Sequence, residues 1–166
     1  MKKILIFYAS YGGGHLSAAK SINNYLNENY PDIQTELVDC MKYINAVLEK
    51  LTTGAYREMA KKAPKLWKEV YDHSQRGLLS KISKNSNKLM AKLAKLILES
   101  SPDLILSTHP FSSQMVSYLK KKGELNCKLA TILTDFEIHE QWIVGHEYTD
   151  LYFVSNEHMK DELIEH

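Results

Sequence analysis

The chain has 166 residues, with 21 basic and 20 acidic side chains and a formal net charge of +1. That length suits one compact domain, or at most two small ones, and the 44% hydrophobic content argues against wholesale disorder. No apolar run approaches the roughly 20 residues of a membrane-spanning helix, and the apolar stretch after the first lysines is shorter than a secretory signal needs. We therefore expect a cytoplasmic protein.

Short apolar segments alternate with amphipathic ones along the chain. Strands are predicted at 2–8, 33–38, 103–108, 128–134 and 151–154, and helices at 15–29, 112–122 and 157–165. This alternation predicts an α/β fold, a Rossmann-like parallel sheet with helices on both faces. Residues 41–99 are predicted to be almost entirely helical, which makes a long helical insert after the second strand.

The charge is unevenly distributed along the sequence. Residues 61–95 hold ten basic and two acidic side chains, a net charge of +8 that leaves −7 for the remainder. At helical spacing, one face carries a lysine stripe: Lys81, Lys84, Lys88, Lys92 and Lys95. Such a stripe is either the solvated face of a surface helix or a contact with anionic lipid. Nucleic acid is less favoured, because no nucleic-acid-binding module accompanies the charge.

The two cysteines, Cys40 and Cys127, are far apart in the sequence. Their spacing suggests neither a disulfide framework nor a CxxC metal or redox motif. We expect two free, buried thiols.

The loop after the first predicted strand holds three glycines, Gly12, Gly13 and Gly14, followed by His15. Ligands of open parallel sheets bind beyond the carboxyl ends of the strands. Glycines allow close approach to the backbone, and the helix N-terminus behind them suits a phosphate. The loop is neither GxGxxG nor a P-loop, and a tight turn without a ligand is the alternative. The helix dipole favours a neutral His15 that acts as a base.

Polar residues follow the third and fourth predicted strands at the same edge of the sheet. His109 precedes Pro110, and Asp135 is followed by His139 and Trp142. A carboxylate beside an imidazole orients the ring or raises its basicity. These residues are therefore candidates for catalysis or substrate binding.

Structural alternatives remain open for the same residues. His109 is equally compatible with a purely structural role, and the segment 134–142 with a loop packed by Phe136, Ile138 and Trp142, in which Asp135 caps a helix. A zinc site formed by His15, His109, Asp135 and His139 is the least favoured, because only Asp135 and His139 have the short spacing of a metal motif.

Three motifs in order resemble one family. The segment 4–19, ILIFYASYGGGHLSAA, resembles the start of monogalactosyldiacylglycerol synthases and of bacterial processive diacylglycerol glucosyltransferases. The segment 104–111, LILSTHPF, resembles that family's strand and loop before the acceptor region, and Thr134-Asp135-Phe136 with His139 and Trp142 is similar to a third motif. More distantly, the glycine-rich loop with its histidine resembles the lipid-linked N-acetylglucosaminyltransferase of peptidoglycan synthesis.

The resemblance implies a GT-B glycosyltransferase that moves a hexose from a UDP-sugar to diacylglycerol or a related lipid. Residues 1–166 would be its N-terminal, acceptor- and membrane-binding half, with the insert at about 41–99. The nucleotide-sugar half would be absent from this chain, which we therefore expect to bind but not to catalyse alone. The alternatives are a non-catalytic phosphate- or lipid-binding module, a stand-alone hydrolase using Asp135 and His139, and a lipid-linked sugar transferase of cell-wall synthesis.

The resemblance also implies roles for the residues singled out above. His15 would be the catalytic base, with Asp135 as the second candidate or as the group that holds His15 or His139. Gly12, Gly13 and Gly14 would face the donor diphosphate, and His109, His139 and Trp142 would line the acceptor site. The lysine stripe would lie on anionic lipid at the inner face of the cell membrane. No cofactor or metal is expected beyond the UDP-sugar substrate.

Overall fold

A computed structural model describes residues 1–10, 13–44 and 86–166 of the chain. Its strands are β1 (Lys2–Tyr8), β2 (Ile33–Asp39), β3 (Leu104–Ser107), β4 (Lys128–Ile132) and β5 (Leu151–Phe153). The helices are α1 (Gly13–Asn29), α2 (Cys40–Ile44), α3 (Ser86–Ser100), α4 (Pro110–Lys121), α5 (Glu140–Ile143) and α6 (Glu157–Ile164), and a 3₁₀ turn spans His146–Tyr148.

The five strands form one sheet in the order β2-β1-β3-β4-β5, and all neighbours are parallel. The central strand β1 is buried on both faces because its residues Ile4, Leu5, Ile6 and Phe7 are all apolar. The predicted α/β, Rossmann-like parallel sheet is confirmed.

The core lies on both faces of the sheet. On one face Leu5 and Phe7 pack with Leu93 and Ile97 of α3 and with α4. On the other, Ile4 and Ile6 pack with Ala19 of α1. The alternation follows from the two-residue period of a strand, and it gives the predicted helices on both faces.

Helix α4 begins at a different residue from the sequence prediction, which placed its start at Ser112. Helix α4 starts two residues earlier because Pro110 occupies its first turn, where the missing N–H costs nothing. The side chain of His109 accepts a hydrogen bond from the Phe111 N–H and so caps the helix. The short α5 and the 3₁₀ turn were not predicted.

The predicted insert is only partly described. Its two ends are helical as predicted, in α2 and α3, and residues 45–85 lie outside the described residues. Lys81 and Lys84 of the lysine stripe fall there, and Lys88 belongs to α3 with a side chain outside the described part. Lys92 and Lys95 are exposed on the face of α3 opposite the buried Leu93 and Ile97.

The free cysteines are as expected in one respect only. Both are unpaired thiols, but Cys40 is fully buried whereas Cys127 is only partly buried. Burial raises the pKa of the Cys40 thiol to about 12, so it is a packed and unreactive side chain.

Candidate functional site

The sheet order places a crevice between β1 and β3. Neighbours β2 and β3 lie on opposite sides of β1, so the connections that follow β1 and β3 diverge at their carboxyl ends. Ligands of open α/β sheets bind at such a switch point. His15, in the first turn of α1, and His109, directly after Thr108 at the end of β3, flank this crevice.

The imidazole of His15 is held by two groups on its Nδ1 atom. Nδ1 lies 2.6 Å from the backbone oxygen of Thr108 and 2.7 Å from the Thr134 hydroxyl. A carbonyl oxygen only accepts hydrogen bonds, so Nδ1 carries the proton of the neutral ring. We infer from this bond that the lone pair is on Nε2, where it can accept a proton from a substrate.

Thr108 also fixes the backbone around His15. Its hydroxyl lies 2.9 Å from the backbone oxygen of His15 and 3.2 Å from that of Phe7. Its N–H donates to the same Phe7 oxygen at 2.9 Å. The end of β3 therefore fastens the start of α1 to the end of β1, and His15 sits on rigid elements rather than on a free loop.

Burial keeps His15 neutral. It lowers the pKa of the imidazole, and the hydrogen bond to Thr108 and the charge of Asp135 offset that effect only partly. A histidine with a lowered pKa is unprotonated at neutral pH, which is the state that a general base requires.

His109 is buried beside His15, whereas the sequence analysis expected it to line the acceptor site. Its side chain is only 7% exposed, and its ring meets that of His15 edge-on with centroids 4.6 Å apart. Burial, and the neighbouring His15 after it, hold the pKa of His109 well below its ordinary value. His109 therefore caps α4 and supports His15 as a neutral ring.

Asp135 follows β4 and accepts two hydrogen bonds on one oxygen, Oδ2. The indole Nε1–H of Trp142 donates at 2.7 Å, and Nε2 of His139 lies at 3.2 Å. The bond from His139 first, and that from Trp142, outweigh burial and hold the pKa of Asp135 below its ordinary value. Asp135 is therefore a carboxylate at neutral pH.

The sequence allowed Asp135 to hold either His15 or His139, and of these two rings Asp135 makes a hydrogen bond only to His139. It contacts His139 and Trp142, whereas the hydrogen bonds of His15 go to Thr108 and Thr134. Asp135 acts on His15 through its charge, which raises the pKa of that ring. It does not cap α5, whose N-cap is His139.

Trp142 is buried and packs under the site. Its side chain is 1% exposed and belongs to a small cluster with Leu133 and Met159. The centroid of its ring lies 6.3 Å from that of His15 and 6.0 Å from that of His139. Trp142 thus holds Asp135 in place and packs near both histidines, and its buried ring has no open face for a substrate.

Gly13 and Gly14 begin α1 beside His15. Among the described glycines, positive φ values occur only at Gly123 and Gly145. A Cβ on Gly13 would meet no atom within 4 Å, and one on Gly14 would come no closer than 3.9 Å to Thr134. Neither the backbone nor the packing demands glycine here, so the open space is available to a ligand. Gly12 lies outside the described residues.

Asp39, at the end of β2, has a structural role. It is buried and accepts hydrogen bonds from the N–H groups of Met41 and Lys42, both at 3.1 Å, and so caps α2. The Ser10 hydroxyl donates to the same carboxylate. This contact joins the ends of β1 and β2.

Most of the predicted site residues lie together. His15, His109, Asp135, His139 and Trp142 form one contiguous group of rings and a carboxylate. Within residues 1–10, 13–44 and 86–166, no three histidine, cysteine, aspartate or glutamate side chains are placed to hold a metal ion. None of the helices in the same ranges is long and apolar enough to cross a bilayer.

Sequence reasoning missed three residues of the site. Thr108 and Thr134 orient His15, and Phe136 is 94% exposed rather than packed into the loop as one alternative expected. A threonine one residue after β3 and another two residues after β4 were visible signals for the first two. Nothing in the sequence distinguished Phe136 from Ile138, which does pack against the Trp142 cluster.

A family model and several curated proteins match this chain, and all of them belong with diacylglycerol glycosyltransferases. The family model described as monogalactosyldiacylglycerol (MGDG) synthase matches residues 15–166. The processive diacylglycerol beta-glucosyltransferase of Staphylococcus epidermidis (strain RP62A) is 32% identical over 165 residues. Its counterparts in Staphylococcus aureus (strain MRSA252) and Staphylococcus carnosus (strain TM300) are 30% and 29% identical.

These matches cover nearly all of this chain but less than half of each relative. They cover 99% of this chain for the first two relatives and 98% for the third, but only 41%, 41% and 40% of the relatives themselves. The chain thus spans about two fifths of the length of the curated relatives that it matches. No solved structure matches it.

Proposed function

The chain belongs to the monogalactosyldiacylglycerol synthase family, and on that premise we propose that it is the acceptor-binding part of a glycosyltransferase. The reaction moves a hexose from a UDP-sugar to the free hydroxyl of diacylglycerol or a related lipid. The matched relatives are named for transfer of glucose to diacylglycerol. The part of their length that lies outside the match would hold the nucleotide-sugar.

The observation that carries this proposal is the orientation of His15. With Nδ1–H bound to the Thr108 carbonyl, Nε2 keeps a lone pair that can accept a proton, on a residue that lies at the switch point of the sheet. The acceptor hydroxyl gives its proton to Nε2 as its oxygen forms a bond to the anomeric carbon. The bond from that carbon to the UDP oxygen breaks, and UDP leaves with the electron pair.

The neighbours of His15 support the proton transfer. The imidazolium that forms keeps its hydrogen bond to the Thr108 carbonyl and is attracted by the carboxylate of Asp135. Asp135 is thus a positioning and electrostatic group. His139, held by that carboxylate, lies at the partly exposed side of the site, where it can hydrogen-bond the acceptor.

The N-terminus of α1 would serve the leaving group. Its first N–H groups and its dipole favour an anion, and the absence of a side chain on Gly13 and Gly14 leaves room for one. The UDP diphosphate, presented by the remainder of a longer protein, fits this position.

Membrane association would follow from the acceptor and from the lysine stripe. The exposed Lys92 and Lys95 of α3, with Lys81, Lys84 and Lys88, would lie on anionic lipid. The protein would then be a peripheral membrane protein at the inner face of the cell membrane, where it would bind diacylglycerol.

A chimera tests the proposed function. Residues 1–166 are joined to the part of the Staphylococcus epidermidis relative that lies outside the match, and transfer of labelled glucose from UDP-glucose to diacylglycerol in mixed micelles is measured. We expect a glycolipid product from the chimera and none from residues 1–166 alone. A folded chimera that binds vesicles but forms no product would instead indicate a non-catalytic lipid-binding module.

A further inference from the structure

An exposed aromatic side chain follows the segment that contacts the proposed base. Phe136 is 94% exposed, far more than Tyr25 at 58% or Phe153 at 49%. An isolated exposed apolar residue is ordinary. Phe136 is unusual because of its position, directly after Asp135 and two residues after Thr134.

The segment that carries Phe136 is anchored on both sides. Before it, Thr134 contacts Nδ1 of His15, and Asp135 accepts from the Trp142 indole. After it, Ile138 packs against the cluster of Leu133, Trp142 and Met159. The exposure of Phe136 is therefore set by fixed neighbours and not by a loose loop.

The distances match a substrate with a hydroxyl next to an apolar body. The Cα atoms of Thr134 and Phe136 are two peptide units apart, which places them within about 7 Å of each other. In a diacylglycerol the reacting hydroxyl and the first ester carbons are separated by a few bonds only. Because Thr134 contacts the His15 ring, Phe136 is close enough along the chain for the acyl part of a lipid whose hydroxyl lies at His15 to reach it.

We propose that Phe136 binds the apolar part of the acceptor lipid and so raises the affinity of the site for that lipid. This proposal rests on the proposed function and adds the residue that selects a lipid over a water-soluble alcohol. Phe136 takes no part in the proton transfer. Its removal weakens acceptor binding and leaves the chemical step intact.

The first test measures binding of the 166-residue chain to phosphatidylcholine vesicles with and without dioleoylglycerol. We expect dioleoylglycerol to increase binding, and Phe136→Ser to abolish that increase while Phe136→Leu keeps most of it. The matched control is Tyr25→Ser, on α1 ten residues and about 15 Å from His15. Thermal melts of all variants confirm folding. An equal loss of binding to both kinds of vesicle would overturn the proposal, because it would assign Phe136 to the bilayer in general.

The second test uses the chimera and separates this inference from the proposed function. We expect Phe136→Ser to raise KM for dioleoylglycerol roughly ten- to a hundredfold with kcat unchanged, the scale of one buried aromatic side chain. An unchanged KM in an active chimera overturns the role of Phe136 and leaves the proposed function standing. A fall in kcat and melting temperature without a change in KM also overturns it, since Phe136 would then pack against the rest of the longer protein.

Discussion

Substitution of Gly13 distinguishes a ligand-binding role of this glycine from a structural one. Because a Cβ at this position meets no atom within 4 Å and φ is not positive, the fold tolerates alanine there. We expect Gly13→Ala to leave the melting temperature nearly unchanged, because Gly13 is the first residue of α1, where the difference in helix propensity between glycine and alanine counts for little.

The same variant is expected to lose activity if the diphosphate occupies this space. In the chimera, Gly13→Ala should raise KM for UDP-glucose roughly tenfold, the cost of displacing one or two hydrogen bonds to an anion. Steady-state kinetics and a thermal melt on one preparation check both halves. Wild-type kinetics with wild-type stability would show that no ligand occupies the space beside Gly13, and would contradict the proposed diphosphate position.

His109 makes the stability of the fold depend on pH. Its pKa is well below the ordinary 6.5 in the folded protein, so the unfolded chain binds more protons as the pH falls through 6.5. Stability is therefore constant at higher pH and declines as the pH falls from about 7 towards the folded pKa. We expect His109→Asn, which retains a cap for α4, to be less stable than the parent at pH 8 because the smaller side chain leaves a cavity, and to lose less further stability between pH 8 and pH 5. His15→Gln is the matched comparison, because the pKa of His15 is also lowered, though less.

The residues of the site were predictable from the sequence, but their partners were not. The prediction gathered His15, His109, Asp135 and His139 because all follow strands of one parallel sheet. It considered Asp135 as a support of His15, whereas the bond on Nδ1 comes from a backbone carbonyl 93 residues away. Backbone acceptors carry no sequence signature, since every residue has one.

At the scale of elements, the turn at Gly145 fixes α5 against α4. Gly145 has φ of +81°, and a Cβ there would lie 2.7 Å from the Cβ of Ser117. We expect Gly145→Ala to lower the free energy of unfolding by about 2–4 kcal/mol, the sum of a left-handed backbone and a steric overlap. The matched control is Gly123→Ala, with φ of +72° and open space around the Cβ, which should cost about 1–2 kcal/mol. Urea unfolding measures both, and equal values for the two variants would contradict the predicted contact.

Element boundaries show where local patterns suffice. Strand β1 was predicted with its observed bounds because four consecutive apolar residues and a glycine-rich end define it. The start of α4 was predicted two residues late, because Pro110 occupies the first turn behind the His109 cap. Helix α5 has four residues, too few to show a helical period.

At the scale of the molecule, the lysine stripe is proposed to bind anionic membrane. We expect the change of Lys84, Lys88 and Lys92 to Glu to reduce flotation of the chain with phosphatidylglycerol vesicles, and salt to weaken binding of the parent. The matched control changes Lys20, Lys121 and Lys160, all exposed, to Glu and alters the net charge equally. Equal losses in both triple variants would show that net charge, and not the stripe, drives binding.

The order of the strands in the sheet could not be derived from the sequence. Alternating strands and helices predict a parallel sheet, but the order β2-β1-β3-β4-β5 depends on which neighbours the crossovers choose. That order is what brings the ends of β1 and β3 together and makes His15 and His109 neighbours. The function of the site thus depends on long-range topology that short motifs only suggest.

The most direct test of the central claim is the kcat of the His15→Gln chimera with UDP-glucose and dioleoylglycerol. Glutamine keeps a polar side chain of similar length but supplies no basic nitrogen. If His15 is the base, kcat falls by about 10²–10⁴-fold, while vesicle binding and the melting temperature at pH 8 stay near those of the parent. A kcat within a factor of a few of the parent would contradict the account, because proton removal would then belong to another group.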